Sequence, residues 1–182
     1  GFSRGIRGML LVLLVIILAS STFCRNSIWH TEERLWQDVM ARSPSKARPH
    51  YQIGYYYDRK GNYEAAIREY QTALTMKPYT TLEDWTRNNL GNIYGKLGLF
   101  EEAKRQFQTV LAFTPTDHAA RINLGVIYTK QGKIIEAIQE FHAVLEASPD
   151  NVLAYYNLGN AYQEQGNLEE AIGAYQKALR RD

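Results

Sequence analysis

The decapeptide Asn157-Leu158-Gly159-Asn160-Ala161-Tyr162-Gln163-Glu164-Gln165-Gly166 sets a frame that recurs three times upstream. In each copy a Leu or Ile precedes a glycine, a Tyr follows three residues later and a second glycine seven later. The leading glycines are Gly54, Gly91, Gly125 and Gly159, at intervals of 37, 34 and 34 residues. Apolar residues after position 45 keep a helical spacing, with Gly and Pro as regular punctuation. A fixed period of this length marks a solenoid of helical hairpins. The expected fold is therefore all-α, with four hairpins at 47–80, 84–117, 118–151 and 152–182. A stacked array offers an extended surface, so binding and assembly become the leading classes of function ahead of catalysis.

Each recurring residue has a physical task. A glycine where two helices cross lets them approach, and Tyr or Phe fills the space between hairpins. Proline after the second helix stops it, because the ring removes a backbone donor and clashes with the preceding turn. A lone hairpin buries only part of its apolar face, so its neighbours complete the core. The last unit places Tyr155, Leu158, Gly159, Tyr162, Gly166, Ala171, Tyr175 and Ala178 in this register. The third has Leu124, Gly125, Tyr128, Gly132, Ala137, Phe141 and Pro149, and the second Leu90, Gly91, Tyr94, Gly98, Ala103, Phe107 and Pro115. The first has Ile53, Gly54, Tyr57, Gly61, Ala66, Tyr70, Ala73 and Pro78. These residues resemble the tetratricopeptide repeat across 47–182, which implies a right-handed α-solenoid. Val110 and Val144 depart from that family's small residue late in the second helix. Three extra residues within Tyr79–Asp84 are expected to lengthen the turn between the first and second units.

The two ends differ. Ser27 to Pro44 reads as a lone second helix, with Ile28, Trp36, Val39 and Met40 apolar and Pro44 as its stop. Residues 26–46 are thus expected to cap the first repeat as an amphipathic half-repeat. After the fourth hairpin the sequence reaches Asp182 without a polar closing helix, so an apolar face is expected there for further sequence or another molecule to cover.

Ahead of the cap, residues 8–24 carry no charge, and Met9 to Ala19 reads MLLVLLVIILA. Such a run reaches the short end of what spans a bilayer, roughly 17–25 residues. Residues 1–25 are expected to form an N-terminal hydrophobic, transmembrane-like helix, with Met9, Leu10, Leu13, Leu14, Ile16 and Ile17 as its assembly or membrane face. A cleavable signal peptide is the competing reading: Arg4 and Arg7, an apolar core, then Ala19, Ser20 and Ser21. The start at Gly1 reads as a processed product or a fragment.

Charge and motif content narrow the partners. Of 21 Lys and Arg residues, Arg4, Arg7 and Arg25 flank the apolar run, and all 19 acidic residues lie beyond it. The body is close to neutral without a basic footprint, so no nucleic-acid partner is expected. Arg4 and Arg7 against Arg25 favour an N-terminus inside and repeats outside the cytoplasm, membrane-anchored or at the cell surface. The single Cys24 excludes an internal disulfide framework and a Cys-rich zinc site. His30, His50, His118 and His142 are dispersed, with no pair at metal-ligand spacing. Gly91 to Lys96 (GNIYGK) is one residue short of a phosphate loop, lacks the following Ser or Thr and falls inside a helix. No catalytic residue, cofactor or metal is expected.

The sharper binding signal is an amide series. Asn89, Asn123 and Asn157 recur before the Leu-Gly pair at intervals of 34, with Gln52 in the first unit. They resemble the asparagine ladder of the repeat domain in O-GlcNAc transferase, which implies contacts to the backbone of an extended peptide. An amide donates and accepts together, which suits recognition independent of side chains. The alternative is that these amides satisfy helix backbone. The family resemblance also implies a concave face of Arg48, Tyr51, Tyr55, Trp85, Asn88, Asn92, Lys96, Ile122, Val126, Tyr156 and Asn160, without a cluster of Lys and Arg.

A hydrophobic head that runs into an amphipathic stretch and a globular body is similar to pilin-like filament subunits. Ser3, Arg4 and Gly5 stand where a pilin has its early acidic residue. The leading expectation is a non-enzymatic structural protein that self-assembles through its hydrophobic helix and the ends of its solenoid, as a homo-oligomer or pilus-like extracellular filament. The second is a membrane-anchored scaffold that binds peptides or partner proteins in its groove. The third comes from the junction, where Trp29 to Asp38, Ser43-Pro44 and Arg48-Pro49 resemble the segment after the last membrane helix of transmembrane-plus-tetratricopeptide proteins. Many of those resemble lipid-linked-sugar glycosyltransferases in their membrane part, which implies a C-terminal repeat region of a multi-pass parent.

Overall fold

The computed structural model describes residues 32–180 together with Leu13 and Leu18. Of the expected hydrophobic helix, Leu13 and Leu18 are helical and exposed. Met9, Leu10, Leu14, Ile16 and Ile17 lie outside the described residues, as does the start of the cap. Among the described residues, no helix is long and apolar enough to cross a membrane.

The described chain is all-α. A single helix, α1 (Glu32–Arg42), precedes four hairpins: α2 (Ala47–Arg59) with α3 (Tyr63–Thr75), α4 (Thr80–Lys96) with α5 (Phe100–Phe113), α6 (His118–Lys130) with α7 (Ile134–Ala147), and α8 (Val152–Gln165) with α9 (Leu168–Leu179). Local chemistry sets these limits. Asp117 and Asn151 cap α6 and α8, each side chain accepting from the backbone N–H three residues on, Ala120 at 2.8 Å and Ala154 at 2.9 Å. Gly166 ends α8 at φ +85°, a left-handed value that glycine adopts without a Cβ penalty. The turn glycines of the other three units hold φ between +74° and +76°.

The leading glycines serve close packing. A Cβ on Gly125 would lie 2.6 Å from the Phe141 ring, and one on Gly91 would lie 2.7 Å from Phe107. Tyr70, Phe107 and Phe141 are the largest fully buried side chains, one per inter-hairpin space. Phe141 and Val144 of α7, with Ile122 of α6, pack against Ala154, Leu158 and Ala161 of α8. Small residues on the incoming helix let it settle against large ones on the helix before.

The first helices of successive hairpins touch one another, α2 to α4, α4 to α6 and α6 to α8, while the second helices make no comparable contact. The array therefore curves with α2, α4, α6 and α8 on its inner face. Helix α1 packs on α2 and leaves no large apolar side chain exposed.

The extra residues of the second unit correct one expectation. The connection 76–79 is no longer than 114–117 or 148–151; the insertion instead lengthens α4 at its N-terminus. Helix is favoured there because it buries Leu82 against Ala47 and Ala73 and lets the Leu82 N–H bond to the Tyr79 carbonyl. A longer open turn would leave both unsatisfied.

Candidate functional site

Two surfaces carry candidate chemistry, the inner groove and the last hairpin's outer face. In the groove, α2, α4 and α6 enclose a cavity of about 350 Å³ lined by Asp58, Asn92, Gly95, Lys96, Asn123, Val126, Ile127 and Lys130. Gly95 makes the enclosure tight, since a Cβ there would sit 2.7 Å from Ile127 Cδ1. Lys96 Nζ pairs with Asp58 Oδ1 at 2.9 Å, tying α4 to α2, and lies 5.2 Å from the Tyr63 ring centre. Lys130 Nζ approaches the Gly95 carbonyl at 3.5 Å. Asn92 and Asn123 are half-buried beside them, their amides in no side-chain hydrogen bond among the described residues. The cavity thus offers two amides and an ammonium next to an ion pair, groups that match a peptide's backbone and a carboxylate.

The amide series divides. Asn123 lines the cavity. Asn89 Nδ2 donates to Tyr51 Oη at 3.3 Å, and Asn157 Nδ2 donates to the Leu153 carbonyl one turn back at 2.8 Å. Asn88 is buried, its Nδ2 donating to Asp117 Oδ2 at 3.3 Å while its Oδ1 has no partner. Beside it, Thr114 Oγ1 donates to Asp84 Oδ2 at 2.8 Å, so a polar seam joins α4 to the turn before α6.

Upstream the groove is aromatic. The half-buried Tyr51 ring lies 5.9 Å from Tyr70 and 6.4 Å from Trp85. Burial pushes the Tyr51 hydroxyl above its ordinary pKa, and the Asn89 hydrogen bond pulls the other way. Tyr55 and Trp85 are exposed, with the Arg59 guanidinium 5.9 Å from the Tyr55 ring centre.

At the far end, Val152, Leu153, Tyr156, Tyr175, Ala178 and Leu179 enclose an apolar groove of about 530 Å³. The rings of Tyr156 and Tyr175 lie 5.9 Å apart, and Tyr175 Oη donates to Asn160 Oδ1 at 2.7 Å. Tyr156 and Asn160 therefore belong to this terminal face and stand apart from the cavity that holds Asn92 and Asn123. Among the described residues, no group of three or more His, Cys, Asp or Glu is placed to hold a metal ion.

Sequence reasoning missed Asp58 and Lys130 in the cavity. Lys130 was within reach, because it stands one 34-residue period after Lys96. It also left Leu153, Ile172 and Leu179 unnamed, although Ile172 and Leu179 occupy the register of Ile138 and Leu145 one unit earlier.

Solved structures share the fold. The crystal structure of MamA aligns with a TM-score of 0.69 at 23% identity, covering 82% of this chain and 85% of that one. A MamA beginning at residue 41, from Desulfovibrio magneticus RS-1, aligns with a TM-score of 0.72 at 18% identity, covering 92% and 93%. YrrB, described as a TPR protein with an unusual peptide-binding site, aligns with a TM-score of 0.65 at 24% identity, covering 91% and 81%. No curated protein sequence matches the chain. Models of the tetratricopeptide repeat match residues 47–80, 88–141 and 152–182, and a further TPR repeat model matches 125–166. With matches in all four hairpins, the chain belongs to the tetratricopeptide repeat family.

Proposed function

We propose that this protein is an assembly subunit: a tetratricopeptide repeat scaffold whose copies associate through the outer face of the last hairpin and through the apolar segment 8–24. The single observation that carries this reading is that face, where Leu153, Tyr156 and Leu179 are 55%, 53% and 77% exposed around an apolar groove. Contiguous exposed apolar surface on a soluble body marks a contact site. The segment 8–24, uncharged throughout, supplies a second contact in this reading, either bundled in a filament core or anchored in a membrane. Two separate contacts per subunit allow growth into a filament, with the repeats outside the cytoplasm. Negative-stain imaging and light scattering of native material without detergent test it. Filaments or defined oligomers are expected; a monomer that is soluble only in detergent contradicts it.

A second reading rests on the inner cavity. Asn92, Asn123 and Lys130 suit an extended peptide with an acidic side chain or terminus, and the fold neighbour YrrB is described as having a peptide-binding site. In this reading the chain is a membrane-anchored scaffold. Titration with an acidic peptide library checks it: binding is expected to fall about tenfold in Asn123→Ala, which removes an amide that would pair with the peptide backbone. An intact mass well above that of 182 residues would favour the third reading, repeats attached to a multi-pass glycosyltransferase-like parent.

A further inference from the structure

Each of the first three hairpins ties its two helices together with a polar bridge between residues 19 apart. His50 Nδ1 lies 2.7 Å from Glu69 Oε2, Arg87 Nη1 donates to Gln106 Oε1 at 3.1 Å, and Arg121 Nη1 donates to Glu140 Oε2 at 3.0 Å. In the fourth hairpin this register holds Tyr155 and Ala174, and an alanine side chain has no polar atom to offer. Gly173 stands where the third hairpin has Gln139, so the wall beside the missing bridge is also small. A cavity of about 320 Å³ opens at this place, walled by α7, α8 and α9. Because α7 supplies one wall, the cavity lies between the third and fourth hairpins, away from the terminal face. A further hairpin packed on Tyr175 and Ala178, as α8 packs on Phe141 and Val144, would leave it where it is.

Floor and rim differ in chemistry. Leu145, Leu158 and the buried Ala174 give the floor an apolar surface. At the rim stands the exposed Lys177, its Nζ 5.6 Å from the Tyr155 ring centre, where the third hairpin has Ala143. Glu170, also on the rim, lies two turns earlier on α9, roughly 10 Å along the helix. On the far wall His142 Nε2 and Tyr162 Oη are 3.2 Å apart and engage each other. From the third hairpin to the fourth, an internal ion pair has thus given way to apolar surface, and an ammonium has been added at the mouth. We propose that this cavity binds a small organic acid, an apolar ring or short chain that bears one carboxylate. The apolar body takes the space of the missing bridge, and the carboxylate pairs with Lys177, at the end of the rim away from Glu170. The volume is at the lower end of ligand cavities, roughly 300–1,000 Å³, which suits a single ring. Neither the assembly reading nor the peptide reading uses this site.

Benzoate and its neutral counterpart benzamide are the probes, titrated onto the full chain by saturation-transfer NMR. Benzoate is expected to bind about tenfold more tightly than benzamide, the worth of one charge-assisted hydrogen bond. Lys177→Gln is expected to erase that difference and to leave benzamide binding as it was. Y155R/A174E rebuilds the bridge of the third hairpin inside the cavity and is expected to abolish binding of both probes, with circular dichroism to show that the fold persists. Should that variant unfold, Gly173→Gln decides, because a Cβ there meets nothing within 4 Å and the longer side chain narrows the cavity. It is expected to weaken benzoate several-fold. Benzoate that fails to bind, that binds no better than benzamide, or that binds the folded cavity-filling variant as well as the parent overturns the proposal.

Discussion

The outer face of the third hairpin and the outer face of the fourth are the same surface one repeat apart, yet they meet different fates. Ile122 is 4% exposed, and Phe141 and Val144 are fully buried, because Ala154, Leu158 and Ala161 of α8 lie over them. Their counterparts Tyr156, Tyr175 and Ala178 frame an open groove. Residue type follows the difference. Phe141 gives way to Tyr175, whose hydroxyl reaches Asn160, and Ile122 gives way to the amphipathic Tyr156. Tyrosine suits a surface that is wet at times and covered at others, since its ring buries well and its hydroxyl keeps a partner. Leu179 and Ile172 lack that adaptation, and covering each fully would be worth about 1.5–3 kcal/mol. In a solenoid, stability is shared between neighbours, so α9, which packs chiefly on α8, has less to hold it when the chain is alone than α7, which packs on both α6 and α8.

Mutations can widen or erase this contrast. Phe141→Ala is expected to cost about 3–5 kcal/mol, because it empties a closed inter-hairpin space. Tyr175→Ala, whose site is already open on one side, is expected to cost about half as much; urea unfolding followed by circular dichroism measures both. Gly125→Ala is expected to cost about 1–3 kcal/mol, since its new methyl would press on the Phe141 ring. Gly173→Ala reverses the sign. A Cβ there meets nothing within 4 Å, so the gain is that of replacing glycine within a helix, about 0.5–1 kcal/mol by the same melts.

Tyr70 sharpens the contrast from the first hairpin, where it holds the register of Phe107, Phe141 and Tyr175. Its buried hydroxyl makes no hydrogen bond, although Asn89, engaged with Tyr51, lies near enough to offset part of the burial effect. Tyr70→Phe is expected to stabilise by up to about 1 kcal/mol at neutral pH, because it removes an unpaired polar group. Burial also raises the Tyr70 pKa above its ordinary value of 10.0. The folded state then favours the neutral hydroxyl, so its contribution is complete below pH 10 and is lost as pH rises beyond it. Thermal melts across alkaline pH are expected to fall less steeply for Tyr70→Phe than for the parent.

Periodicity made the solenoid legible, because the same glycine and aromatic positions answer to one packing problem four times. The insertion after Pro78 was legible only as extra residues. Whether they extend a turn or a helix depends on Leu82 finding Ala47 and Ala73, a tertiary contact that local sequence does not display. The groove was partly legible for the same reason. Register placed Asn89, Asn123 and Asn157 together, but Tyr51 takes the first amide and the Leu153 carbonyl takes the third. Asp58 and Lys130 enter the cavity through the packing of α2, α4 and α6, which spacing along one helix cannot convey.

Hydrogen exchange of the full chain over a concentration series compares the two faces in one experiment. If copies cover the last hairpin, amides in 168–179 exchange more slowly as concentration rises, while those in 134–147, already covered, keep their rate. Exchange in 168–179 at one rate across all concentrations would contradict assembly through this face.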